Sequence, residues 1–214
     1  MFTLIGTQPA RIQSGNYATA KAQLDEGIAL ADEKGALFWK AMGAMFQGCM
    51  FALTGEAAKA ASSIVSAIAP YRSTGATLYM SYYLSHLAQA YADLKQFDDA
   101  RRCVGEGMTT AEASGNKWFE ADIHRISGEI ALLSPERDAA KAQTHFERAL
   151  ANARAQSARS WELRAATSLA RLWRDSGRRT QAHDLLAPVY GWFTEGFDTL
   201  DLKRAKALLD DLAS

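Results

Sequence analysis

The chain of 214 residues is poor in cysteine, with two, and in proline, with four. No stretch approaches the roughly 20 apolar residues that cross a bilayer. Two cysteines cannot make a disulfide framework. Cys49 and Cys103 lie in different expected helices and are read as reduced, buried thiols, with a disulfide or redox pair as the alternative. Neither sign of charge is in excess: 24 basic residues balance 24 acidic ones. No global field therefore draws the chain to nucleic acid or an anionic membrane. The start, Met1-Phe2-Thr3-Leu4-Ile5-Gly6, lacks a basic region and a long apolar run, so no secretory signal is read and a cytoplasmic location is expected. The run Gly-x-x-x-x-Gly-Lys-Ser/Thr, which cradles phosphates, does not occur. Gly105-Glu106-Gly107 supplies two glycines without the rest of a dinucleotide fingerprint. No segment alternates like a strand. No cofactor is expected.

What the sequence does have is a small residue about every 40 positions. Ala20, Ala60, Ala100, Ala142 and Ala182 are 40, 40, 42 and 40 apart. Each is followed four residues later by an apolar residue and seven later by a small or β-branched one: Leu24 and Gly27, Ile64 and Ala67, Val104 and Gly107, Phe146 and Ala149, Leu186 and Val189. That spacing is one face of a helix. A second register precedes it at Gly48, Ala88, Gly128 and Ala170, followed three residues later by Phe51, Tyr91, Ala131 and Trp173. Small residues let two helices approach closely, and large ones fill the space beside them. The period predicts an all-α, right-handed superhelical solenoid of about five antiparallel hairpins.

Glycine marks the turns. Gly35, Gly75, Gly115 and Ser157 are placed at the ends of second helices, and Gly15, Gly55 and Gly177 within units. Helices are predicted near 16–33, 37–54, 56–73, 76–94, 96–114, 117–134, 138–156, 159–176, 179–194 and 199–212. Residues 1–214 are read as one domain, with units near 1–35, 36–75, 76–115, 116–157 and 158–196 and a cap at 197–214. The two extra residues of the fourth unit fall in Ser134-Pro135-Glu136-Arg137, where an insertion costs little, and Pro135 is assigned to the first turn of the next helix. Pro188 predicts a kink or an early helix end.

The pairing of a small residue in the first helix with Ala, apolar and small positions in the second resembles the tetratricopeptide repeat (TPR) in a form of about 40 residues. In the last third, Trp161-Glu162-Leu163-Arg164-Ala165-Ala166, Leu169-Ala170-Arg171-Leu172-Trp173-Arg174 and Ala187-Pro188-Val189-Tyr190-Gly191-Trp192-Phe193 resemble the C-terminal repeats of bacterial proteins that join a class III cyclase or DNA-binding domain to a signalling ATPase. The maltose-regulon activator has a related arrangement. The resemblance implies a regulatory or sensory end-piece that responds to a small ligand. It implies no catalysis within this chain; cyclase or ATPase activity would belong to a separate domain.

His86, His124, His145 and His183 are nowhere three or four apart, so no helical metal pair is read. Aromatics open the first helices at Phe38 and Trp39, Tyr79, Trp118 and Phe119, and Trp161. They are read either as packing between units or as anchors along a groove. First helices should line the inner face. The predicted lining is Met42, Met45, Cys49 and Ala52, then Tyr82, Ser85, Gln89 and Ala92, then Asp122, Arg125, Glu129 and Leu132, then Arg164, Thr167, Arg171 and Arg174. It grades from apolar to charged. Two readings stand: solvated faces, or a groove for a peptide or small ligand with an apolar end and an acidic end. The groove residues expected to select a partner are Tyr82, Gln89, Asp122, Arg125, Glu129, Arg164 and Arg171. Charge reversal at Arg125 or Arg171 is expected to weaken binding without unfolding.

Residues 151–181 carry seven arginines against Glu162 and Asp175, and 182–214 is net −3. The dispersed arginines predict a solvated surface with intramolecular pairs rather than a nucleic-acid site. The segment 199–212 is amphipathic and suits a cap, started by Asp198 or Thr199. Residues 1–14 fit the first-helix template poorly: Gln8 stands at the small position, Arg11 at the large one, and Pro9 interrupts. The expectation there is a fragment of a longer parent or an end covered by self-association in a homodimer.

Overall fold

The computed structural model describes residues 1–115 and 117–214. Among the described residues all regular structure is helical. The chain divides into two compact units, Met1–Gly115 and Asn116–Ser214. The first holds a π-helical turn (Phe2–Gly6), α1 (Gln8–Gln13), α2 (Tyr17–Glu33), α3 (Leu37–Leu53), α4 (Ala57–Ser73), α5 (Met80–Asp93) and α6 (Phe97–Ser114). The second holds α7 (Glu120–Leu133), α8 (Ala139–Ala155), α9 (Arg159–Asp175), α10 (Arg179–Gly191) and α11 (Leu200–Ala213). Neighbouring helices pack as hairpins: α3 on α4, α5 on α6, α7 on α8, α9 on α10.

Both registers lie in the core. Ala20, Ala60, Ala100, Ala142 and Ala182 have no exposed surface, and neither have Leu24, Ile64, Phe146 and Leu186. Val104 is half-buried beside buried Cys103. The two registers meet inside each hairpin. A Cβ built on Gly48 of α3 would stand 2.5 Å from Ile64 Cγ1 and 3.2 Å from the Ala60 carbonyl of α4. Dispersion and apolar burial over such contacts hold the pair together.

The expected turn residues all adopt positive φ, from 53° at Ser157 to 84° at Gly55. Lys95, 40 residues after Gly55, adopts φ 64° without glycine's freedom. The fourth unit's extra residues sit in the Ser134–Arg137 turn. There Pro135 precedes the helix rather than entering its first turn, because Asp138 is the N-cap and accepts from the Lys141 N–H at 2.8 Å.

Three boundaries differ from the sequence reading. Helix α5 begins at Met80 rather than 76, because Tyr79 takes the left-handed conformation and the Tyr71 hydroxyl donates to the Leu78 carbonyl at 2.6 Å. Helix α7 likewise begins at Glu120. Helix α10 runs through Pro188 and ends at Gly191, three residues short of the expected 194.

Where the template fits poorly, the π-helical turn Phe2–Gly6 and α1, Gln8–Gln13, flank a turn at Thr7. Pro9 sits in the first turn of α1, where its missing N–H costs nothing. Ile5 covers Gly27, on which a Cβ would stand 2.6 Å from Ile5 Cγ1. Gln8 is buried and donates to the Leu4 carbonyl at 2.7 Å and to Gln23 Oε1 at 2.8 Å. At the other end α11 caps the second unit, burying Leu202, Ala205, Leu208 and Leu212 against α9 and α10.

Candidate functional site

In the first unit the apolar part of the expected lining is core. Met45, Cys49 and Tyr82 have no exposed surface, and Met42, Ala52, Ser85 and Ala92 are also buried. Tyr82 lies in an aromatic cluster with Phe46, Tyr83 and His86, the last edge-on at 4.5 Å. Its hydroxyl accepts from Gln13 Nε2 at 2.9 Å. Buried from both sides, Tyr82 offers no surface to a ligand in this conformation, and the grading of an open groove from apolar to charged does not hold in this unit. Gln89 is half-buried and donates to Asp93 Oδ1 at 3.0 Å.

The second unit brings its candidates together. Helices α7 and α9 put Asp122, Arg125, Glu129 and Arg171 into linked ion pairs, and Arg164 of α9 pairs with Asp201 of α11. Arg125 Nε donates to Asp122 Oδ1 at 2.6 Å, and its NH1 lies 3.9 Å from Glu129 Oε1. Glu129 also faces Arg171 at 3.9 Å and accepts from Ser168 Oγ at 2.7 Å. Arg164 Nε donates to Asp201 Oδ2 at 2.6 Å while its guanidinium lies 4.7 Å from the Trp161 ring centre. Burial disfavours the charge on Arg125, but Asp122 and Glu129 outweigh it and leave the guanidinium more firmly protonated than usual. The depth varies along the row. The Asp122 side chain is 1% exposed, Glu129 22% and Arg171 45%.

The seven arginines of 151–181 are all engaged within the chain. Arg154 and Arg159 bind Glu162, Arg164 binds Asp201, and Arg171 faces Glu129. Arg174 binds Asp175 and Asp211, Arg178 donates to Gln143 Oε1 at 2.9 Å, and Arg179 donates to the Asp211 carbonyl. The aromatics that open first helices mostly pack. Phe38 stacks on Tyr71 at 5.7 Å, and Phe119 meets Trp161 edge-on at 5.8 Å, but Trp118 is exposed.

One pairing escapes sequence spacing. His124 of α7 and His145 of α8 lie ring to ring at 5.8 Å, tilted by 33°. Only the packing of two helices 21 residues apart places them together. Burial lowers the pKa of both below the ordinary 6.5, Arg148 adding to it at His124, and His124, Lys141 and Arg148 at His145. Among the described residues no group of three or more His, Cys, Asp or Glu is placed to hold a metal ion. None of the described helices is long and apolar enough to cross a membrane.

No protein-family model matches the chain, and no curated protein matches it. Solved structures do. The chain is similar to the nearly identical TPR-like repeats of a Podosopora anserina "putative kinesin light chain", solved as a single-site variant. The TM-score is 0.58 at 16% sequence identity, over 88% of this chain and 92% of that one. The likeness establishes the fold: an all-α, TPR-like array of consecutive helix pairs.

Proposed function

We propose that this chain is a non-catalytic interaction module that binds a segment of a protein partner on the face formed by the first helices of its second unit, α7 and α9. The observation that carries the reading is the row of ion-paired charges on α7, α9 and α11, which runs from buried Asp122 to half-exposed Arg171. Ion pairs of 2.6 Å to Asp122 and Asp201 restrain Arg125 and Arg164, so little of their side-chain entropy is lost when a partner docks. Asp122 acts from beneath by positioning Arg125. The TPR-like fold supports the reading, since such arrays commonly mediate protein–protein interactions. Recurrence of the small-residue registers in both units supports one repeat domain over 1–214, and two buried free thiols support a cytosolic setting.

The resemblance of the last third to sensory end-pieces supports a second reading, in which a small ligand acts on the array and an attached domain responds. A cleft in the second unit favours it.

The test of the first reading is a pair of reversals. Arg171→Glu lies on the proposed face, and Arg179→Glu lies on α10, with similarly exposed side chains. A partner cross-linked to the wild-type chain in its native cell should be lost with Arg171→Glu and kept with Arg179→Glu. Equal retention by both folded variants would remove the assignment.

A further inference from the structure

We infer that a cleft among α8, α9 and α10 binds an apolar α-amino acid. The cavity is about 270 Å³, just under the ~300 Å³ at which pockets for drug-sized ligands begin. It therefore suits a ligand of one amino acid rather than an extended segment. Its basic side is Arg154 at the end of α8 and Arg159 at the start of α9, both set on Glu162. Its other side is Asp184, Leu185 and Pro188 of α10 and Trp192 just past its end.

Each part of an amino acid has a counterpart there. Glu162 is 5% exposed and takes Arg154 Nε at 2.8 Å and Arg159 NH1 at 2.7 Å. One buried carboxylate thus fixes two guanidinium groups and leaves the trio with a net positive charge. Arg154 and Arg159 both line the cleft, and a guanidinium suits a carboxylate. Arg159 is held further by the Trp192 ring, 5.0 Å from its guanidinium carbon. Trp192, 55% exposed, stands with Leu185 and Pro188 as an apolar wall for a side chain. Asp184 supplies the anion for an ammonium group. Pro188 has no N–H to give the Asp184 carbonyl one helical turn back. This site stands apart from the charged face of α7, α9 and α11, and its ligand is a defined small molecule, so either assignment can fail without the other.

Titration calorimetry of the full chain with L-phenylalanine, L-leucine and glycine tests it. The two apolar amino acids should give saturable heat, and glycine none. N-acetyl-L-phenylalanine and L-phenylalaninamide, each lacking one charge, should bind at least about tenfold more weakly. Asp184→Asn and Trp192→Ala change exposed side chains and should keep the fold by circular dichroism while weakening L-phenylalanine about tenfold. Arg154→Gln should do the same, with Arg159 still holding Glu162. The inference is overturned if L-phenylalanine shows no saturable heat up to ~10 mM, beyond the weakest Kd of interest at ~1 mM. It is overturned equally if all three variants bind as the wild type does. Tighter binding of a peptide ending in phenylalanine than of the free amino acid would also overturn it, by making a chain terminus the occupant.

Discussion

Gly128 of α7 lies so close to Phe146 of α8 that a Cβ there would stand 2.7 Å from Cδ1 and 2.9 Å from Cζ of the ring. The two positions are 18 residues apart and belong to different registers. Gly128→Ala must push the ring off its place and should cost about 1–3 kcal/mol. Gly48→Ala, facing Ile64 and the Ala60 carbonyl, should behave alike. Gly105 is the control: nothing lies within 4 Å of its missing Cβ, and it sits inside α6. Gly105→Ala should stabilise by roughly 0.5–1 kcal/mol. Urea unfolding of the three variants decides; a neutral Gly128→Ala would contradict the close approach.

Lys95 and Ser157 hold left-handed backbone at φ 64° and 53°, and both are exposed. Glycine relieves the Cβ clash but adds freedom to the unfolded chain. The first effect is about 1–2 kcal/mol and the second about 0.4–1. Lys95→Gly and Ser157→Gly should therefore each gain roughly 0.5–1 kcal/mol, read as a rise in Tm. A fall would mean that strain at these turns is relieved elsewhere.

Asp122 and Arg171 sit in one charged row but at different depths. Asp122→Asn leaves Arg125 without its main partner in a mostly buried place and should destabilise by ~3 kcal/mol. Arg171→Glu, nearly half exposed, should stay within ~0.5 kcal/mol. Arg125, with 19% of its side chain exposed, is a poor site for the reversal that sequence reasoning favoured, since it would place a second acid beside buried Asp122. Thermal unfolding separates the cases.

His124 and His145 both prefer to be neutral in the folded state. Their pKa values lie below the unfolded value near 6.5, so the unfolded chain binds protons first as pH falls. Their contribution to stability is complete above about pH 6.5 and is lost as pH drops through that value toward the lower folded values. His145→Gln should flatten the fall in Tm between about pH 7 and pH 5. An unchanged pH profile would show that the pair does not couple folding to protons.

Burial raises the Cys49 thiol well above its usual range and pushes Cys103 up to about 11, with Arg102 opposing that second shift. Both are thiols at neutral pH, and neither is reactive while the fold is closed. A thiol-specific reagent should label the native protein slowly and both cysteines promptly in denaturant. Fast native labelling would place a thiol at the surface.

The hairpins and their turns were legible because they are written in short-range spacing. Ala142 and Phe146 are one helical turn apart, and Gly35 or Gly177 must take a positive φ where one helix ends and the next begins. The entry to α5 was not legible: the Tyr71 hydroxyl takes the Leu78 carbonyl from across a turn, and nothing local announces it. Of the expected site, Arg125, Glu129 and Arg171 were found on one face because first helices repeat at the unit period. Tyr82 was misjudged as open for a related reason. Helical phase says which way a residue faces, not whether another side chain such as Gln13 already waits there.

The sequence by itself determined an all-helical array, where its helices pair and where its turns lie, since small residues at fixed spacing and left-handed turns act within a few residues of chain. Only the tertiary structure decided that Tyr82 is core, that His124 meets His145, and that Glu162 with its two arginines lies beside Pro188. Those outcomes depend on side chains from helices separated by tens of residues competing for the same space and the same charges, a contest that no local pattern records.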